Sequence, residues 1–133
     1  MRIWQKNMIC LDANVLLEVV LRRQRYLQAE RAITFLKERP YISMLSLHLV
    51  MYFCRIAHLP FNVIHNALDK VELLDLTSAD YQWAKLNMRD NDFEDALQLA
   101  VAIRNGCDTF ITFDKKLYDT YKSLPQLEIK LVK

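Results

Sequence analysis

The chain has 133 residues, of which 53% are apolar and 26% charged, and its formal net charge at pH 7 is +2. This length fits one domain that can fold without disulfides, and the even charge balance excludes nucleic-acid binding driven by bulk charge, so any such contact would be local. The single glycine, Gly106, excludes the glycine-rich loops of P-loop and dinucleotide-binding proteins.

Hydrophobic periodicity and turn residues divide the chain into alternating strands and helices. Pro40 stops one helix, Pro60 opens another, and Thr77 or Ser78 can cap a third. The helix predicted at residues 46–57 is apolar nearly all round and is expected to be mostly buried. In chain order the prediction is a strand at 8–11, helices at 13–23 and 27–38, a strand at 41–43, helices at 46–57 and 60–68, a strand at 71–76, helices at 78–88 and 92–104, and strands at 109–113 and 127–132.

Strands that alternate with helices predict one α/β domain over residues 8–133, with residues 1–7 as an N-terminal extension. The expected architecture is a three-layer α/β/α domain with a central, mostly parallel five-stranded sheet. In such sheets the reactive groups lie beyond the carboxyl ends of the strands. Acids that directly follow a strand are therefore candidate site residues.

Four aspartates are expected to meet at this edge of the sheet. Asp12 follows the first strand and Asp114 ends a later one. Asp92 and Asp95 share one face at the start of the helix that leads into the strand before Asp114, so that end of the helix lies at the same edge. Because buried carboxylates repel one another, such convergence predicts a divalent cation, and an all-oxygen site suits Mg²⁺ or Mn²⁺. A cation held there can activate water and stabilise charge on a phosphodiester.

Each acid also has an ordinary structural explanation. Asp12 could cap the helix that follows it, and Asp92 could be an N-cap with Asp95 in the first turn. Asp114, followed by Lys115 and Lys116, could belong to an ordinary turn. Only the convergence of the set distinguishes a site from three local features.

The cysteines and the termini indicate a cytoplasmic protein. Cys10, Cys54 and Cys107 are odd in number and lie in apolar surroundings, as buried thiols in a reducing compartment do. Cys54 and His58 are one helical turn apart, but this pair alone is weak evidence for zinc. The N-terminus lacks the apolar region of a signal peptide, and no apolar run is long enough to cross a membrane.

Three stretches of this sequence resemble the PIN domain, the fold of many VapC-like toxin–antitoxin ribonucleases. They are Leu11-Asp12-Ala13-Asn14-Val15-Leu16-Leu17, Asp92-Phe93-Glu94-Asp95-Ala96-Leu97-Gln98 and Ile111-Thr112-Phe113-Asp114, and the resemblance runs from Met8 onward. It implies that Asp12, Asp95 and Asp114 are catalytic metal-binding acids, which Asp92 joins through a water. It further implies that Asn14 shapes the site and that Thr112 orients the neighbouring carboxylates.

The implied activity is that of a metal-dependent endoribonuclease, with Mg²⁺ or Mn²⁺ as its only cofactor. By the same resemblance the chain is expected to be a homodimeric toxin with RNA as substrate and a small antitoxin protein as partner. No membrane association is expected, because no apolar run is long enough to cross a membrane. Lys115 and Lys116 follow Asp114 and are expected to meet RNA phosphates. Arg22, Arg23 and Arg25 end the first predicted helix, so they are expected at the opposite edge, in solvent or in a protein interface.

One position departs from the family pattern. The family usually carries a glutamate on the helix that begins near Ser46, where this chain has Leu49. His48 could substitute as a ligand or proton carrier, although a histidine beside a buried helix is more often simply packed. The alternative function is therefore a catalytically weak or inactive PIN-like module that binds RNA or a protein.

A third hypothesis is a phosphatase of the haloacid-dehalogenase type. The stretch Asp12-Ala13-Asn14-Val15 is similar to the first motif of that family. That motif normally has a second aspartate where this chain has Asn14, and those enzymes are usually longer, with a cap domain.

Overall fold

A computed structural model describes residues 7–133, so all of the predicted N-terminal extension except Asn7 lies outside the described residues. Five strands and seven helices are formed within this range. The strands are β1 (Ile9–Leu11), β2 (Tyr41–Ser43), β3 (Glu72–Leu74), β4 (Thr109–Thr112) and β5 (Glu128–Leu131). The helices are α1 (Ala13–Val20), α2 (Tyr26–Thr34), α3 (Met44–Ile56), α4 (Phe61–Leu68), α5 (Ser78–Asn87), α6 (Phe93–Arg104) and α7 (Lys115–Tyr121).

The strands form one sheet in the order β3-β2-β1-β4-β5, and all four pairings are parallel. The chain first builds outward from β1 to β2 and β3, and then returns to add β4 and β5 on the other side. The direction of winding therefore reverses between β1 and β4. In open α/β sheets this reversal opens a crevice at the carboxyl ends of the two strands.

Two hydrophobic clusters cover the two faces of the sheet, which confirms the three-layer prediction. Leu11 and Ile42 pack with residues of α1 to α4 on one face. Cys10 and Phe110 pack with residues of α6 and α7 on the other, where Trp83 of α5 joins them. Side chains alternate between the faces along each strand, so neighbouring residues such as Cys10 and Leu11 belong to different clusters. All three cysteines are buried and free, as predicted.

The predicted elements are confirmed in kind, with three corrections. Helices α1 and α2 end three to four residues before their predicted ends, with Leu21 and Phe35 as C-caps. A helix that was not predicted, α7, follows β4. Helix α3 is not mostly buried, because only Ser46, Val50 and Cys54 are fully covered while other apolar side chains face solvent. No helix within residues 7–133 is long and apolar enough to span a membrane.

Candidate active site

Three helices begin at the crevice between β1 and β4, and an aspartate caps each of them. Asp12 accepts a hydrogen bond from the Asn14 N–H at 3.5 Å at the start of α1. Asp92 accepts from the Asp95 N–H at 3.1 Å at the start of α6, and Asp114 accepts from the Leu117 N–H at 3.1 Å at the start of α7. Each of these aspartates therefore caps a helix and also lies at the crevice, so the local explanation and the convergence of the acids both apply.

Sheet register brings Asp12 and Asp114 beside each other. The Asp12 N–H donates to the Ile111 carbonyl oxygen at 2.9 Å and so continues the ladder between β1 and β4. Buried Thr112 links the two acids, since its hydroxyl donates to Asp12 Oδ2 at 2.8 Å and accepts from the Asp114 N–H at 2.9 Å. Asn14 Oδ1 accepts from the Phe113 N–H at 3.3 Å, which ties α1 to the end of β4. These bonds hold the acids against rotation of either element.

The acids surround a cavity of about 430 Å³. Five carboxylates line it together with a single cationic side chain, Arg23, and neutral residues of α1, α3 and α6. The lining residues are Asp12, Ala13, Asn14, Leu17, Arg23, Leu49, Phe53, Asp92, Glu94, Asp95, Gln98 and Asp114. Among residues 7–133, no three histidine, cysteine, aspartate or glutamate side chains already stand in an arrangement that could hold a metal ion.

Burial and mutual repulsion raise the pKa values of the two most enclosed acids. Burial raises the pKa of Asp12 from 3.8 to about 6, although hydrogen bonds, chiefly from Thr112, oppose the shift. The pKa of Asp95 rises from 3.8 to about 8 because of burial first and then the charge of Asp92, with smaller contributions from Asp12, Asp114 and Asp90. One Asp90 carboxylate oxygen, Oδ2, is buried with no hydrogen-bond partner in the part of the chain that the structure describes.

This donor set fits a hard divalent cation. All the charged groups except Arg23 are carboxylates, and oxygen ligands of this kind suit Mg²⁺ or Mn²⁺. Burial first, and then the charges of neighbouring carboxylates, raise the pKa values of Asp12 and Asp95, and a cation bound beside them would favour their ionised forms.

Two polar residues of α6 that line the cavity were not among the predicted site residues. Glu94 lines it one position before Asp95, and burial raises the pKa of Glu94, with Asp92 adding to the shift and His48 opposing it. Gln98 is buried and accepts a hydrogen bond from the Ser46 hydroxyl at 2.9 Å, so it connects α6 to α3. Gln98 lies three residues after Asp95, and this helical spacing was a signal that could have indicated it.

The α3 wall of the cavity is apolar. Leu49 and Phe53, one helical turn apart, supply this wall, so Leu49 faces the five carboxylates. His48 is exposed and borders a different, mainly apolar cavity between α3 and α4. His48 is therefore not among the residues that line the acidic cavity, although it lowers the pKa of Glu94 there.

The basic residues are distributed differently from the prediction. Lys115 and Lys116 are exposed in the first turn of α7, and Lys115 forms an ion pair with Asp119 at 2.7 Å. The expectation that Arg22, Arg23 and Arg25 lie at the opposite edge was wrong for the last two. Arg23 lines the cavity, and the Arg25 guanidinium lies over the ring of Phe113, 4.2 Å from its centroid.

Helix α1 explains this error, because it has only eight residues and spans about 12 Å. Arg22, with φ of 49°, turns the chain after the helix. The Arg25 N–H then donates to the buried Glu18 carboxylate at 2.6 Å, which returns the chain along α1.

Solved structures with the same fold include several toxin–antitoxin proteins. A toxin–antitoxin complex from Klebsiella pneumoniae superposes with a TM-score of 0.72 at 17% identity, covering 90% of this chain and 94% of that one. VapC20 of Mycobacterium tuberculosis, a toxin that cleaves the sarcin–ricin loop, gives 0.68 at 16% identity, covering 84% and 93%. VapBC2 of Rickettsia felis, bound to a DNA fragment from its promoter, gives 0.65 at 15% identity, covering 95% and 99%.

Comparison with curated protein sequences gives no match. The sequence pattern of the PIN domain matches residues 8–116, which is well over half of the 133 residues. The fold, the crevice between β1 and β4 and this match agree with one another. The chain therefore belongs to the PIN domain family.

Proposed function

We propose that the chain is a metal-dependent endoribonuclease, the cytoplasmic toxin of a toxin–antitoxin pair. The observation that carries this proposal is the cavity lined by Asp12, Asp92, Glu94, Asp95 and Asp114 at the carboxyl edge of the sheet. The comparisons support the family, and the relatives known from toxin–antitoxin complexes support a small antitoxin protein as partner. A homodimer is part of the same proposal.

In this proposal Asp12, Asp95 and Asp114 bind Mg²⁺ or Mn²⁺, and Asp92 contributes through a water molecule. The bound ion would supply an activated water and would stabilise negative charge on the phosphodiester. The Thr112 hydroxyl orients both acids, since it donates to Asp12 Oδ2 and accepts from the Asp114 backbone N–H. Asn14 fixes the end of β4 against α1, and Lys116 lies exposed where RNA phosphates would pass.

The test is cleavage of single-stranded RNA by the purified chain with Mg²⁺ or Mn²⁺, beside Mn²⁺ binding measured by calorimetry. Asp95→Asn should lower the cleavage rate at least about a hundredfold and weaken Mn²⁺ binding, because it removes a charged ligand. The matched control is Asp69→Asn, an exposed aspartate after α4 whose loss should change neither quantity. A folded chain that neither cleaves RNA nor binds Mn²⁺ would contradict the proposal.

Leu49 favours a second candidate, a PIN-like module with weak or no catalysis. Its side chain faces the carboxylates where the family pattern has an acid, so one charged ligand is missing from the α3 wall. For this candidate, Leu49→Glu should create or strongly raise cleavage in an otherwise silent chain. Leu49→Gln, of the same shape without the charge, is the control. If the natural chain cleaves as fast as the Glu variant, this second candidate is wrong.

A further inference from the structure

The connection between α1 and α2 carries three arginines, and it lies beside the acidic cavity instead of at the far edge of the sheet. Arg23 is the single cation among the twelve residues that line the cavity. Arg25 lies over Phe113, the residue directly before Asp114. None of these three arginines is among the residues proposed to bind the cation, and none lies in the three stretches that resemble the PIN domain.

Aromatic rings, and not carboxylates, hold these two guanidinium groups in place. The Arg23 guanidinium lies 5.7 Å from the centroid of the Phe53 ring on the α3 wall, and Arg25 lies 4.2 Å from that of Phe113. A guanidinium over an aromatic ring is attracted by the ring and keeps its N–H donors free for other partners. Both side chains are mainly exposed.

The guanidinium groups of Arg23 and Arg25 are not paired with carboxylates in the part of the chain that the structure describes. Of the ion pairs formed within residues 7–133, none involves Arg23 or Arg25, although five carboxylates line the same cavity as Arg23. Lys115, by contrast, is already paired with Asp119. Arg23 is therefore an unpaired cation in the wall of the cavity and Arg25 an unpaired cation beside the end of β4, and the donors of both guanidinium groups are available to an anion from outside.

We propose that Arg23 and Arg25 hold backbone phosphates of a single-stranded RNA that crosses the cavity along the α3 wall. The planar fork of a guanidinium matches two phosphate oxygens, which a lysine cannot do. A cavity of about 430 Å³ can admit part of a single strand but not a duplex. The side chain of Phe53, 37% exposed beneath Arg23, offers an apolar surface for a base. The choice of RNA as the anion rests on the proposed nuclease function.

The test measures RNA binding without metal, so that it does not depend on cleavage. A fluorescein-labelled single-stranded RNA of about a dozen nucleotides is titrated in EDTA with the full chain carrying Asp95→Asn, and anisotropy is read at several salt concentrations. Adding Arg23→Ala should weaken binding about tenfold, as expected for one lost contact between charged groups. It should also reduce the slope of log K against log salt by about 0.7, the value for one phosphate contact on a single strand.

Three comparisons make the result specific. Arg31→Ala removes an exposed arginine on α2 that does not line the cavity, and it should change neither affinity nor slope. Arg23→Lys should keep the slope but lose part of the affinity, since it keeps the charge without the fork. Arg25→Ala should behave like Arg23→Ala.

The proposal would be overturned if Arg23→Ala behaved like Arg31→Ala. It would also be overturned if polyglutamate competed with the RNA at equal charge, because the arginines would then serve an acidic protein segment. If the slope changes as expected but the chain never cleaves RNA, the arginines bind RNA as proposed and the proposed nuclease function is wrong. If the chain cleaves RNA and Arg23→Ala leaves KM unaltered, the nuclease function stands and the proposed role of the arginines is wrong.

Discussion

Each capping aspartate in the cavity has two physical roles. Asp12, Asp92 and Asp114 satisfy backbone N–H groups at the starts of α1, α6 and α7, and the same carboxylates line the cavity. A helix N-terminus favours negative charge, which partly offsets the repulsion between neighbouring carboxylates. Capping therefore gives a reason why so many acids can be kept close together before any cation binds.

Thr112 is the residue on which the Asp12 and Asp114 geometry depends most directly. Thr112→Val preserves its shape but leaves Asp12 Oδ2 and the Asp114 N–H without their partner, so unfolding free energy should fall by about 1–3 kcal/mol. The pKa of Asp12 should rise further, because the Thr112 hydroxyl is the largest influence that lowers it. Urea denaturation and carboxyl carbon NMR titration measure the two effects.

Thr112→Ser separates the hydroxyl from the methyl group. Because a buried methyl group is lost, the free energy of unfolding should fall by about 1 kcal/mol. The pKa of Asp12 should stay where it is in the natural chain. An equal pKa change in the Val and Ser variants would contradict the role given to the hydroxyl.

At the scale of elements, an ion pair fixes the last turn of α6 against the first turn of α5. Buried Asp80 closes a capping box with Thr77 at the start of α5 and accepts from Arg104 Nε, in the last turn of α6, at 2.7 Å. The Arg104 side chain is one-third exposed, so water screens part of this attraction.

Asp80→Asn should therefore destabilise the chain by about 2 kcal/mol, less than the loss of a fully buried pair. The urea midpoint gives this value. Asp75→Asn is a fitting control, since its side chain is exposed and Arg104 contacts its backbone carbonyl oxygen, so the change should cost less than about 0.5 kcal/mol. An equal fall in the free energy of unfolding in both variants would show that the Asp80 side chain does not link the two helices.

At the scale of the whole molecule, the crowded acids should make the stability of the metal-free chain depend on pH. The pKa of Asp95 is raised to about 8 and that of Asp12 to about 6, both from 3.8. Between pH 4 and 8 the unfolded chain has therefore lost protons that the folded chain still holds, so unfolding becomes easier as pH rises. In EDTA the Tm should fall by several degrees from pH 5 to pH 8.

Asp95→Asn should remove most of that decline, because the amide does not titrate, and Mn²⁺ should raise the Tm of the natural chain at pH 8. Thermal denaturation at pH 5, 6.5 and 8, with EDTA and with Mn²⁺, tests both statements. A metal-free Tm that is constant or rises from pH 5 to pH 8 would contradict the raised pKa values.

Several features follow from the amino-acid sequence alone. The apolar runs, Pro40, Pro60 and the polar caps mark all five strands and six of the seven helices, because these signals act through neighbours in the chain. The short α7 is not predicted, because its seven residues directly follow Asp114, in a stretch that could equally belong to an ordinary turn. Alternation of strands and helices then determines the parallel sheet, and the parallel sheet determines that residues 12 and 114 emerge at one edge.

The other walls of the cavity are decided by tertiary structure. The sequence around Arg23 does not indicate that α1 ends at Val20 or that the chain turns at Arg22. It also does not indicate that the Phe53 ring of α3 lies beneath the Arg23 guanidinium. The positions of Glu94 and Leu49 on opposing elements are likewise set by how α6 and α3 pack on the two faces of the sheet. Sequence determines which groups each element carries to the edge, whereas the distances between elements, and hence the charge balance of the cavity, depend on packing between residues far apart in the chain.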